Sequence, residues 1–494
     1  MSTTFRLRLW EKTLFGSGAL GSGVITTVIT SLLLLFYNQA IGLPPHWVGT
    51  ALMISIILDA LWDPLIGHWS DNVRTRWGRR HPFMYISAPC AALAFYALLN
   101  PPLDWSKDAQ FAYLLGCIIV TRFFTSMYDI TSSALVPELA PDYDDRTNVW
   151  SFRLFFGLVG AFLTIVLVYR IYMPTAAELT SPEGYAKVSI VAALLVLGTF
   201  LFSAVSVHRL IPRLRPPAIE RWTAMEIWHD LASVLRNRTF VVLMLSGLIS
   251  GLSTGLTQNL TVYLNTYFWE MPPQVTSLLV MVAIVFGIFG AVAAPVVSRR
   301  LGKKTAMQIV FWLMLFVSVI PILLRLLEVL PPNSSPLIFW ILMVDSALAA
   351  MLGYMGIVIV VSLLTDVVED NAAATGRRTE GLLFAFNGIL QKASAGIGTF
   401  VAGYLLLYVD FPKAALPGQV DPSVLRNLAL IYVPITFSLV AGSLMMLSFL
   451  KVSREKHEAN LAKIESDAIP GDLVGTVPAT QAVPIRPESG DIRI

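Results

Sequence analysis

Apolar runs of about 20 residues recur from one end of the chain to the other, separated by short polar turns. About twelve are readable, at roughly 14–40, 46–72, 82–100, 109–138, 147–172, 186–208, 239–268, 275–298, 305–330, 336–365, 379–409 and 424–450. A helix of that length crosses the hydrocarbon core of a bilayer and satisfies its own backbone there. The pattern predicts an all-α, multi-pass membrane protein. An even number of crossings puts both termini on one side. The first run is long and leads into further spans, so it reads as a span rather than a cleaved signal.

The turns alternate in character. Outer turns carry proline pairs: Pro44-Pro45, Pro101-Pro102, Pro272-Pro273 and Pro331-Pro332. Inner turns are compact and basic. Arg76-Trp77-Gly78-Arg79-Arg80 and Arg300-Leu301-Gly302-Lys303-Lys304 share one form, and each follows a helix holding a proline, Pro64 or Pro295. They lie nearly half a chain length apart, which suggests two six-helix halves related by an internal repeat. The plainer reading is two basic turns with glycine at a helix end. The expected organisation is a first bundle at 1–208, a linker at 209–238, a second bundle at 239–455 and a tail at 456–494. In the linker Ile219, Trp222, Met225 and Leu235 recur near helical spacing among charges, as in a helix lying on a membrane surface. The tail loses periodicity and gains Pro, Gly, Asp and Glu, which predicts disorder.

Composition agrees with the membrane reading. Hydrophobic residues are 55% of the chain and charged residues 14%, against about 25% charged in soluble domains. Most Lys and Arg fall in the inner segments, so both termini are expected in the cytoplasm, with a bacterial cytoplasmic (inner) membrane as the location. Cys90 and Cys117 both fall in spans, which argues against a structural disulfide. No metal-ligand spacing and no nucleophile–base cluster is readable, so neither an enzyme nor a metal protein is expected. Nothing points to nucleic acid; the expected partners are the bilayer and a small-molecule substrate.

Against that apolar background, Asp59 and Asp63 stand one helical turn apart on one face of the second span. A carboxylate near the bilayer centre costs roughly 2.5–3.5 kcal/mol on insertion scales. Two together repel, and a chain that keeps them is expected to hold a cation or proton between them. Asp129 in the fourth span would join them if the second and fourth helices pack, with Ser126 one turn away offering a hydroxyl. Arg122, Arg153, Asp345 and Lys392 are the other charges at depth. Structural pairing is the better reading for Arg122 and Asp345.

These residues carry a resemblance. Asp59-x-x-x-Asp63-Pro-x-x-Gly67, Ser70-Asp71 and Arg76-Trp77-Gly78-Arg79-Arg80-x-Pro82 resemble the glycoside–pentoside–hexuronide:cation symporters, the melibiose-permease-like branch of the major facilitator superfamily. The likeness continues at Asp129-Ile130, Val136-Pro137, Asp145-Arg146, Arg153, Thr365-Asp366-Val367-Val368-Glu369-Asp370, Glu380 and Gln391-Lys392-Ala393-Ser394-Ala395. The resemblance implies two six-helix bundles that move a solute with a cation by alternating access. It implies that Asp59 and Asp63 hold the cation, that Asp129 couples cation to substrate, and that Arg153 and Lys392 lie near the substrate. Two departures stand out. The first helix reads Gly16-Ser17-Gly18-Ala19-Leu20-Gly21-Ser22-Gly23, where melibiose-type members carry an acid that grips the sugar. Its small residues either leave space for a bulkier solute or allow close helix packing. Trp62 stands where some sodium-using relatives place an amide.

The expected function is cation-coupled symport of a sugar, glycoside or uronate; the alternative is the same fold carrying an amphipathic, lipid-like or other bulky organic solute. No cofactor is expected beyond the coupling ion, H⁺ or Na⁺. H⁺ is favoured slightly, because Trp62 offers no oxygen to a hard cation. The cation set is Asp59, Asp63, Asp129 and Ser126. The substrate set is Asp129, Arg153 and Lys392, with Gln391 and Asn387 adding hydrogen bonds and Tyr37 and Tyr128 stacking on a ring. Asp71, Arg76, Arg79, Arg80, Arg146 and Asp370 are expected to form gating contacts. One chain holds both halves and would suffice as a monomer.

Overall fold

The computed structural model describes residues 7–140, 143–211, 238–375, 380–413 and 415–449, with side chains described throughout except at 143–144, 238–239, 365–375 and 380–385. Most of the expected linker, the tail and the side chain of Asp370 lie outside the described residues.

Twelve long helices are present among the described residues. The first half holds α1 (Leu9–Ala40), α2 (Pro45–Asn72), α3 (His81–Leu98), α4 (Lys107–Leu139), α5 (Tyr143–Val166, prolonged by a π-helical turn at Leu167–Tyr172) and α6 (Pro182–His208). The second holds α7 (Arg238–Tyr263, prolonged by a π-helical turn at Leu264–Phe268), α8 (Pro273–Leu301), α9 (Lys303–Leu326), α10 (Pro336–Thr375), α11 (Glu380–Tyr408) and α12 (Pro422–Ser448). Ten are long and apolar enough to cross a bilayer on their own. The others are α3, which carries His81, Pro82 and Pro89, and α11, which carries Asn387, Gln391 and Lys392. Leu93, Leu154, Leu194, Phe202, Phe289, Val292 and Trp340 are each more than half exposed, as expected of surfaces solvated by lipid.

The packing repeats. In the first half α1 packs on α5 and α6, α2 on α4, and α3 on α4 and α6. In the second, α7 packs on α11 and α12, α8 on α10, and α9 on α10 and α12. Each pair of the second half is a pair of the first moved on by six helices, so the halves are structural repeats. They meet along α2 and α11, α5 and α8, and α1 and α7.

The small residues of α1 serve this packing. A Cβ at Gly16 would stand 2.8 Å from Phe152 Cβ of α5, and one at Gly23 or Gly160 would run into the facing backbone. Gly18 has no room for a Cβ because the Tyr128 hydroxyl fills the space. The stripe therefore brings α1 onto α4 and α5 and leaves no space for a bulky solute, which removes the feature that favoured a lipid-like cargo.

Candidate functional site

The helices run alternately between a face that carries the turn 73–80 and Gly302, called here the terminal face, and the opposite, distal face. Midway, α2 presents Asp59 and Asp63 one turn apart, and α11 crosses beside them. Lys392 Nζ donates to Asp59 Oδ2 at 2.9 Å and to Asp63 Oδ2 at 2.5 Å. The two carboxylates thus share one ammonium supplied by the other half of the molecule. Asp59 is 5% exposed, and a carboxylate so buried needs every lone pair answered. Its Oδ1 accepts from Ser126 Oγ of α4 and, at 3.2 Å, from Trp62 Nε1. Arg122 Nη1 approaches Asp59 Oδ2 only to 4.0 Å. Asp63 Oδ1 is buried and has no hydrogen-bond partner among the described residues.

The expected third carboxylate makes no direct contact with this group among the described residues. Asp129 follows Ser126 by three residues on α4, which turns it about 60° around the helix toward α1. There its Oδ1 accepts from Ser22 Oγ at 2.7 Å. Lys392 also departs from expectation: it sits with the carboxylates, and the cavity beside them is lined by other groups.

That cavity, about 40 Å³ in this conformation, lies between the halves, one to two turns distal of the Lys392 bridge, and admits a sugar-sized solute only when the halves part. Thr30 of α1, Ile56 of α2, Arg122 of α4, Gln258 and Asn259 of α7 and Thr399 of α11 are among its walls. Several expected substrate residues lie elsewhere. Tyr128 is fully buried and stacks on Phe200 of α6 with centroids 3.7 Å apart. Tyr37 is fully buried and donates its hydroxyl to Leu98 O at 2.7 Å. Both rings complete the core of the first half, where apolar burial outweighs solute contact. Arg153 donates to Ser132 Oγ and Ser133 Oγ, each at 3.0 Å, and its guanidinium lies over the Trp150 ring at 5.4 Å. Gln391 lies against Gly247 and Gly251 of α7, with Asn387 near Gly247.

The distal face is closed across the halves by hydrogen bonds, with no ion pair among the described residues. Tyr263 Oη donates to Asn38 Oδ1 at 3.0 Å, Gln39 Nε2 to Pro412 O at 3.1 Å and Ala415 N to Gln39 Oε1 at 2.9 Å. Arg170 Nε donates to Ser277 Oγ at 2.8 Å. Gly403 of α11 lies so close to Pro45 O of α2 that a Cβ would stand 2.5 Å away.

The expected gating charges other than Asp370 make their contacts within the first half. Arg80 Nη2 donates to Asp71 Oδ1 at 2.8 Å and Arg79 Nη2 to Glu138 Oε1 at 2.6 Å, with Arg80 reaching Glu138 as well. Arg76 lies over Trp77 and Arg146 Nε reaches Ala140 O at 3.5 Å. None of these ties the halves together in this conformation. Glu138, Ser22, Gln258, Asn259 and Thr399 are the residues the sequence reading missed. Glu138 had a readable signal, an acid at the inner end of a span facing a basic turn.

Comparison with known proteins fits this architecture. The chain is 24% identical to the putative glycoside/cation symporter YagG of Escherichia coli (strain K12), over 92% of this chain and 94% of the relative. It is 22% identical to the isoprimeverose transporter of Lactiplantibacillus pentosus, over 77% and 76%. A crystal structure of a D-xylose-proton symporter superposes with a TM-score of 0.65 at 15% identity, covering 91% of this chain and 99% of that one, which shows a common fold. The model of the family described as MFS/sugar transport protein matches residues 14–454. The chain belongs to that family, and the fold is that of the major facilitators.

Proposed function

We propose that this protein moves a sugar, glycoside or uronate together with a cation by alternating access, and that Lys392 holds the cation's place until it arrives. The observation that carries this is the reach of Lys392 Nζ across the halves to both Asp59 and Asp63. An arriving cation competes with the ammonium for the same oxygens. Displacing Lys392 removes the mid-depth tie between α11 and α2, so ion binding is coupled to movement of the halves. The names of the relatives, a putative glycoside/cation symporter and an isoprimeverose transporter, support a sugar-like cargo.

The donor set favours a proton. Asp59 Oδ1 already accepts from Ser126 and Trp62, and Trp62 presents an N–H rather than an oxygen. Na⁺ is a hard ion that wants several oxygen ligands, whereas H⁺ needs one open lone pair. Asp63 Oδ1 offers one. With the terminal face in the cytoplasm of a bacterial inner membrane, the closed distal face looks outward and the structure is shut to the outside. A single chain contains the whole site, so a monomer suffices.

The test is uptake of labelled xylose, methyl-xyloside and methyl-glucuronide into proteoliposomes under an imposed pH or Na⁺ gradient. Accumulation above equilibrium driven by the pH gradient is expected. Uptake that ignores both gradients would sink the coupling.

A further inference from the structure

We infer that the cavity selects an anionic solute and that Arg122 takes its carboxylate. The inference rests on the transport reading and deepens it by naming the charge of the cargo.

Arg122 is a cavity wall. Its closest acid is Asp59, and that contact is 4.0 Å long because Asp59's oxygens are already occupied by Ser126, Trp62 and Lys392. Its Nε is buried with no hydrogen-bond partner among the described residues. A guanidinium stays charged, and its planar fork fits a carboxylate with two parallel bonds. Leaving that buried Nε–H without a partner is costly unless a ligand answers it. Among the described residues, no carboxylate lines the cavity to compete with an incoming anion. Thr30, Gln258, Asn259 and Thr399 supply neutral groups suited to hydroxyls.

Charge balance points the same way. Asp59 and Asp63 face Lys392 and Arg122, two acids against two bases. That cluster is neutral. A coupling cation adds one positive charge, which a neutral solute would leave uncompensated and a monoanion cancels. One cation entering with one monoanion carries no net charge.

The test uses the full chain in proteoliposomes and two matched probe pairs, methyl-β-glucuronide against methyl-β-glucoside and galacturonate against galactose. Members of each pair differ by a carboxylate in place of a hydroxymethyl group. The acid of at least one pair is expected to bind about tenfold more tightly, the size of a charge-assisted hydrogen bond. Its cation-driven uptake is expected to give no current on a solid-supported membrane. Arg122→Gln should bring the preference within about twofold, and Arg122→Lys should fall between, keeping charge without the fork. If Arg122→Gln does not fold, the wild-type preference and current decide. Coupled, current-generating uptake of the neutral sugars alone overturns this inference and leaves symport standing. An unchanged preference in Arg122→Gln overturns the assignment to Arg122. Failure of all four probes to bind or move overturns the sugar-transport reading and this one with it.

Discussion

Ser126 and Asp129 lie three residues apart on α4 and serve different neighbours: Ser126 donates to Asp59 of α2, and Asp129 accepts from Ser22 of α1. One belongs to the ion cluster and the other ties α4 to α1. Ser126→Ala removes a donor from a buried carboxylate, so the cation concentration for half-maximal uptake should change by about five- to tenfold. Ser22→Ala should leave that value within about twofold. A cation titration of uptake in the two variants checks the division; equal effects would contradict it.

Asp63→Asn should abolish accumulation driven by the cation gradient yet keep substrate exchange, because the amide still meets Lys392 but cannot take the ion. Unchanged uphill uptake would argue against the coupling role.

Lys392→Met leaves two carboxylates facing each other without their ammonium. Breaking a fully buried pair costs about 3–5 kcal/mol. The Lys392 side chain is 41% exposed, so a loss of roughly 1–3 kcal/mol is expected after allowing for screening. Adding Asp63→Asn should restore part of it. Thermal unfolding of the two single variants and the double variant gives the coupling directly.

Gly403 is the wedge point of the distal closure. Gly403→Val places a branched side chain against Pro45 O, and the nearest relief is parting of α2 from α11. The closed state should lose about 1–3 kcal/mol, so Thr30→Cys in the cavity should react faster with a polar maleimide from the distal side. Equal labelling rates with and without the wedge would show that this contact does not set the closure.

Tyr128→Phe should be close to neutral, within about 0.5–1 kcal/mol in stability and about twofold in transport. The ring packs on Phe200 in the core of the first half and does not reach the cavity. A large rise in the substrate KM would return Tyr128 to the binding site.

The fold was largely legible, because each apolar run is a local property and the bilayer permits few answers to it. The ion pair of Asp59 and Asp63 was legible for the same reason, as charges out of place on one turn. Their partner was not: Lys392 lies 329 residues from Asp63, and nothing local links the two. The tyrosines failed in the opposite way. An aromatic residue on a helix shows its spacing but not which neighbour it will face, and Tyr37 and Tyr128 turned inward. The stripe from Gly16 to Gly23 left two readings open, and only the approach of α5 decides between them.

The two ties between the halves differ in kind. Among the described residues, the distal closure is made of amide, hydroxyl and backbone groups, with Arg170 meeting a serine rather than an acid. The tie at mid-depth is ionic. Bulk salt screens a partly buried pair only weakly and barely touches short hydrogen bonds between neutral groups. A uniform rise in ionic strength therefore leaves both ties in place, and only an ion that reaches the carboxylates themselves loosens one of them.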